Sequence, residues 1–180
     1  MYRFIVAAFL FMNAIGFAQN AEEKIFWEEE KPLDWSLFEG EPNLASPFHA
    51  ETNSGISHSY SVKQSEKEIA FDFEVYTFFI PAHSWVKEGE RSEYLLGHEQ
   101  LHFDITELHA RKLRKALQEY KIGKAYKREL QNIYKKIQSQ SHQMQQKYDA
   151  ETGHSLNREA EMEWRQFVKS ELGKFKEYSK

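Results

Sequence analysis

Cysteine is absent from the 180 residues of this chain. That excludes a disulfide framework, a thiolate metal site and a cysteine nucleophile, so any zinc held here must sit on histidine and carboxylate. Proline is scarce: Pro32, Pro42, Pro47 and Pro81 are the only four, and none follows Ser92. A second half without that helix breaker suits long helices. Neither sign of charge dominates, with 24 basic and 28 acidic residues mixed along the chain. A net charge of −4 gives no reason to expect nucleic acid or an anionic membrane as partner. Long apolar runs are missing as well, since residues 4–12 fall short of the ~20 a membrane span needs. What is present is a globular composition, 41% hydrophobic and 15% aromatic, whose 29% charged residues point to long solvated helices. The length suits one domain with a real core.

Residues 1–18 read as a secretory signal peptide. Arg3 is the only charge, the apolar run 4–12 follows, and Gly16-Phe17-Ala18 puts small residues where a signal peptidase inspects them. Cleavage after Ala18 would leave Gln19 first, and with no cysteine there a lipoprotein anchor is excluded. The expectation is export to the periplasm or the exterior, with no stable membrane anchor once the signal is removed. Residues 19–180 then form a single domain, strand-rich over 24–90 and helical over 91–180. Ile56, His58, Tyr60 and Val62 alternate with serines, and Ile69, Phe71, Phe73 and Val75 with Ala70, Asp72 and Glu74. That is the period of half-buried antiparallel strands. From Ser92, a good N-cap, the period becomes helical: Leu95, Leu101, Ile105, Leu108, Leu113 and Leu117 share a stripe that Gly123 stops. A second stripe runs from Tyr126 to Tyr148, residues 149–155 break it, and a third helix spans Asn157 to Gly173. The fold class is α+β, a small antiparallel sheet followed by one long helix and two more.

The first helix carries His98-Glu99-Gln100-Leu101-His102, the H-E-x-x-H pattern. Residues four apart share a helix face, so both imidazoles can aim at one ion, while Glu99 beside them can reach a water on it. Catalytic zinc wants three protein ligands and an open position. A straight helix cannot present the third: His109 shares the face but lies roughly 10 Å past His102 at ~1.5 Å per residue. With no glycine between to turn the chain, His109 reads as an ordinary, partly exposed residue. The outside candidates are Glu129 and His142 on the second helix, His154 in the break, and Glu159 or Glu161 on the third. His154 is the best placed, in a polar turn where Asp149 could accept a hydrogen bond from its imidazole. Tyr148 or His142 could donate to a developing oxyanion. His49, His58 and His83 are not assigned as ligands.

On these residues the chain resembles a bacterial family of secreted zinc-dependent proteases, catalogued as a domain of unknown function. The likeness covers residues 35–164. Its early pieces are Ala50-Glu51-Thr52, Ser54-Gly55-Ile56 and Ser84-Trp85-Val86; its strongest is His98-Glu99-Gln100-x-His102-Phe103-Asp104-Ile105-x-Glu107. Tyr148-Asp149-x-Glu151-Thr152-x-His154, with Trp164 downstream, looks like the family's second motif. The resemblance implies a zinc site on His98 and His102 with Glu99 catalytic, adds weight to His154 as a ligand, and counts against His109.

The function these readings point to is that of a secreted or periplasmic zinc-dependent hydrolase, a metallopeptidase acting on peptide or protein with Glu99 as general base. One rival is a zinc hydrolase of a non-peptide amide or cell-wall component. Another is an exported non-catalytic binding or structural module, with a closed metal site or none. Asp104, Glu107, Arg111 and Arg114 read as simple intrahelical ion pairs worth only ~0.2–0.5 kcal/mol each.

Overall fold

The computed structural model describes residues 22–65 and 69–180. The signal-peptide reading of residues 1–18 lies outside them. Among the described residues no helix is long and apolar enough to cross a membrane.

The alternating segments form two long strands, β3 (Ser54–Gln64) and β4 (Ile69–Phe79), paired antiparallel with Ile56 opposite Thr77 and Tyr60 opposite Phe73. A short β1 (Ile25–Phe26) adds to the other edge of β4. The alternation therefore resolves into one sheet ordered β1-β4-β3. Its covered face is best buried toward the end of β4, at Val75, Thr77 and Phe79, while Ile69 at the start is exposed. Two further short strands, β2 (Ala50–Glu51) and β5 (Trp85–Val86), pair as a separate ribbon.

The architecture is α+β: three helices, α1 (Glu93–Gln118), α2 (Tyr126–Thr152) and α3 (Arg158–Lys174), follow the sheet. Ser92 caps α1 as its spacing predicts, its hydroxyl accepting from the Leu95 amide at 3.2 Å. Helix α1 is the element around which everything else packs. Phe103 faces the ribbon and β4 with Phe38 and Phe79; Leu113 faces Val75 and Leu130; Leu101 and Ile105 face Tyr148 and Trp164. Each fully buried aliphatic side chain on it contributes about 1.5–3 kcal/mol.

Two expectations change here. His109 is not partly exposed: only 1% of it is accessible, and its Nδ1–H donates to the Ile105 carbonyl at 2.8 Å. The periodic stripe is too narrow a description of a helix packed on three sides. The ion pairs of this helix are buried and reach beyond it. Glu107 receives Arg111 Nε at 3.0 Å, Arg114 Nη1 at 2.9 Å and the Thr77 hydroxyl at 2.7 Å. The same arginines reach on to the carbonyls of Leu172 and Tyr178, tying the end of the chain to α1.

Candidate metal centre

His98 and His102 lie one turn apart on α1, and helix geometry puts their rings on one face. What orients them is contributed by the other two helices. His98 Nδ1–H donates to Glu161 Oε2 on α3 at 3.0 Å. His102 Nδ1–H donates to Gln145 Oε1 on α2 at 2.6 Å, and Gln145 Nε2 returns bonds to the His102 carbonyl and the Thr106 hydroxyl. A carboxylate can only accept, and the amide's donors are already engaged, so both Nδ1 atoms carry protons. Once its second proton is displaced, each imidazole presents its Nε2 lone pair forward.

The two Nε2 atoms meet at Asp149. They are 3.3 Å apart, and Asp149 Oδ1 lies 3.4 Å from that of His98 and 3.0 Å from that of His102. A tetrahedral ion held at about 2.0–2.1 Å sets its ligands roughly 3.3 Å apart. The triangle therefore already has the spacing of three corners of such a site. His98, His102 and Asp149 form a group that could hold a metal ion.

Asp149 reaches this position because α2 does not break where the sequence pattern stops. The helix runs on through Thr152, whose hydroxyl bonds the Tyr148 carbonyl at 2.7 Å, and Gly153 caps it in the left-handed region at φ 57°. Asp149 is thus on the last helical turn, facing α1. His154 follows in the turn, with φ 53° for itself and 70° for Ser155. Two successive non-glycine residues in that region cost of order 1–3 kcal/mol each, a strain typical of functional sites. The His154 Nδ1 sits 3.4 Å from Asp149 Oδ1, and its ring packs tilted against Phe48, centroids 4.1 Å apart. Of the two, Asp149 belongs to the converging group, and His154, half exposed, lines the same cleft without joining it. The sequence reading gives His154 the ligand's place and Asp149 that of its hydrogen-bond acceptor.

All four groups, with Glu99, line a cleft of about 370 Å³ that opens between α1, α2 and the β2 segment. Glu99 is 3% exposed, and its Oε2 has no hydrogen-bond partner among the described residues. Burial pushes its carboxyl above the usual range, more than the neighbouring His102 and His98 pull it down. Burial would also lower His98, yet its bonds to Asp149 and Glu161 outweigh this and carry it up to about 9. Asp149 is held well below the ordinary carboxylate range by the two imidazoles, against its own burial. The pocket is built to hold positive charge between the rings. Protons and a cation compete for the same two nitrogens.

Tyr148 is fully buried, stacked on His98 at 4.6 Å, and its hydroxyl donates to Glu161 Oε1 at 2.6 Å. That hydroxyl is committed behind the rings, so Tyr148 has the orienting position and not one from which to meet an oxyanion. His142 is exposed on the cleft rim. Glu129 bonds Tyr120 at the far end of α2. Gln145 was not singled out from the sequence, although it lies one turn before Asp149 on the same face. Glu161 appeared there as a possible ligand, whereas the structure places it behind His98.

The strand segments close the site from the other side. Thr52 Oγ1 donates to the Glu99 carbonyl at 3.3 Å, Ser54 shares a hydrogen bond with Thr106 at 2.8 Å, and Trp85 Nε1 donates to Glu51 at 3.1 Å. Trp164 Nε1 bonds Glu151 at 2.9 Å, which docks α3 on the end of α2. The short sequence pieces noted above are thus the contacts that surround one centre.

No curated protein and no solved structure matches the chain. Residues 84–155 match the model of a family described as a bacterial protein of unknown function (DUF922). That stretch contains His98, Glu99, His102, Gln145, Asp149 and His154, and ends before Glu161.

Proposed function

We propose that this protein is a zinc-dependent hydrolase, exported by its N-terminal segment, that cleaves peptide bonds in the cleft at His98. The observation that carries the proposal is Glu99 Oε2, a buried, unpartnered carboxylate oxygen beside three ligand atoms spaced for a tetrahedral ion. Leaving such an atom unpaired costs stability, and the cost is understandable where the group must meet a substrate. His98, His102 and Asp149 would hold the ion, a His₂-carboxylate set that suits zinc. When bound, zinc supplies Lewis acidity at the scissile carbonyl and acidifies the attacking water.

The chain's own groups do the rest. Glu161 and Gln145 fix the two imidazoles in the tautomer that leaves Nε2 free. Glu99 Oε2 takes the proton of the water and delivers it to the leaving amine, a task favoured by its raised pKa. The open face of the triangle supports a catalytic site over a closed structural one, because a structural site fills its fourth position with protein. His142 and His154, at the rim of the cleft, would contact substrate.

The test uses the mature protein from Gln19. It should take up one equivalent of zinc and then cleave at least some members of a mixed peptide library. Glu99→Gln should take up the same equivalent and lose at least about 10²-fold in rate. Zinc uptake without any cleavage by the wild type would sink the hydrolase reading; no uptake would sink the metal site.

A further inference from the structure

Gly97 and Arg165 have no part in the centre as described, yet packing ties both to it. Arg165, on α3, donates from Nε to Glu161 Oε1 at 3.2 Å and from Nη2 to the Tyr94 carbonyl at 3.2 Å. Between these bonds its guanidinium lies directly over Gly97. A Cβ at residue 97 would meet Arg165 Nη2 at 2.4 Å, Nη1 at 2.5 Å and Cζ at 2.7 Å. The slot exists because residue 97 has no side chain. Its backbone φ is not positive, so conformational freedom is not what the position uses. Glycine in the interior of a helix is otherwise unfavourable.

The consequence is felt at His98. One oxygen of Glu161 is engaged by Arg165 and by the Tyr148 hydroxyl, which turns the other toward His98 Nδ1. Glu161 is wholly buried, so its carboxylate depends on these donors for compensation. We propose that Gly97 and Arg165 are positioning residues for the metal centre. The missing Cβ admits the Arg165 guanidinium, the guanidinium sets Glu161, and Glu161 aims the His98 Nε2 into the cleft. This rests on reading His98, His102 and Asp149 as a metal site.

The experiment compares Gly97→Ala, Arg165→Met, their double variant and Glu161→Gln. Zinc affinity is measured by competition with a chromophoric chelator, and the cobalt-substituted protein is followed by its visible absorption. The far end of Arg165 can swing away from a new methyl group, so Gly97→Ala should fold, and its metal-free melting temperature should equal or exceed the wild type's. Gly97→Ala and Arg165→Met should each weaken zinc binding by about tenfold and shift the cobalt bands alike. The double variant should be no weaker than either single, because both remove one and the same guanidinium. Glu161→Gln should weaken binding by at least as much and absorb the effect of Arg165→Met. Failure of the wild type to bind any metal would overturn the underlying site reading. Tight wild-type binding with both singles within about twofold of it would overturn this proposal alone, as would losses that multiply in the double variant. Should Gly97→Ala not fold, the cycle between Arg165→Met and Glu161→Gln decides in its place.

Discussion

Replacing Asp149 by alanine separates it from His154 as the third metal ligand. Asp149 Oδ1 is 3.0 and 3.4 Å from the two imidazole nitrogens, whereas His154 lies 3.4 Å from that oxygen and outside the converging group. Zinc held by four protein ligands binds with about 10–16 kcal/mol, so one ligand is worth roughly 2.5–4 kcal/mol. At about 1.4 kcal/mol per tenfold, Asp149→Ala should weaken zinc by about 10²–10³-fold. His154→Ala removes only a half-exposed neighbour of the ligand and should cost no more than about tenfold. Chelator competition measures both. A melting curve gives a second readout, since zinc at about 1,000 times its dissociation constant adds ~4 kcal/mol. For a domain of this size that raises the melting temperature by roughly 8–16 °C. The wild type should show that rise and His154→Ala at least about two thirds of it; Asp149→Ala, at the same zinc concentration, should show little of it. A loss of 10²-fold or more in His154→Ala, with Asp149→Ala near wild type, would refute the geometric assignment and restore His154 as the ligand.

Two further predictions concern the scaffold. Glu107→Gln keeps the shape but leaves Arg111 and Arg114 buried without their counter-charge, and should cost about 3–5 kcal/mol in urea unfolding; a loss under about 1 kcal/mol would mean the arginines find other partners. His109 bears on acid stability. Burial lowers its folded-state pKa to about 4 from an ordinary value near 6.5, so the unfolded chain binds the proton first. Its neutral form costs nothing above pH 6.5, and stability falls as pH drops from there toward 4, by up to roughly 3 kcal/mol. His109→Gln, whose amide can still donate to Ile105, should flatten that acid limb, and equal slopes in the two proteins would count against it.

Much of the fold was legible because it follows from local periods. The serine-interleaved strand and its partner announce a two-residue repeat, and the register follows once they pair. Ser92 is recognisable as an N-cap by chemistry alone and accepts the expected backbone amide, and Asn157, where the third helix is expected to start, caps it in the same way. The end of α2 is not legible in the sequence, because the polar stretch 149–155 has the composition of a break. Asp149 and Glu151 are polar for reasons of tertiary contact, and Thr152 bonds a carbonyl of its own helix, all three while remaining helical. His109 and the Glu107 cluster were misjudged for a related reason. Periodicity gives one buried face, whereas α1 is packed against the sheet, the ribbon and two helices.

The centre divides in the same way. The pair His98 and His102, with Glu99 beside them, is a consequence of helical spacing, and the sequence by itself determined it. So did the absence of cysteine, which limits any metal here to imidazole and carboxylate. The third corner is a matter of how α2 crosses α1, and no spacing along the chain encodes whether Asp149 or His154 faces inward. The partners of the two Nδ1 atoms, Gln145 and Glu161, lie 43 and 63 residues from the histidines they hold. The gap at Gly97 acquires meaning only when Arg165 is laid across it. Ligand direction depends on contacts between helices far apart in sequence, and those contacts exist only once the chain has packed.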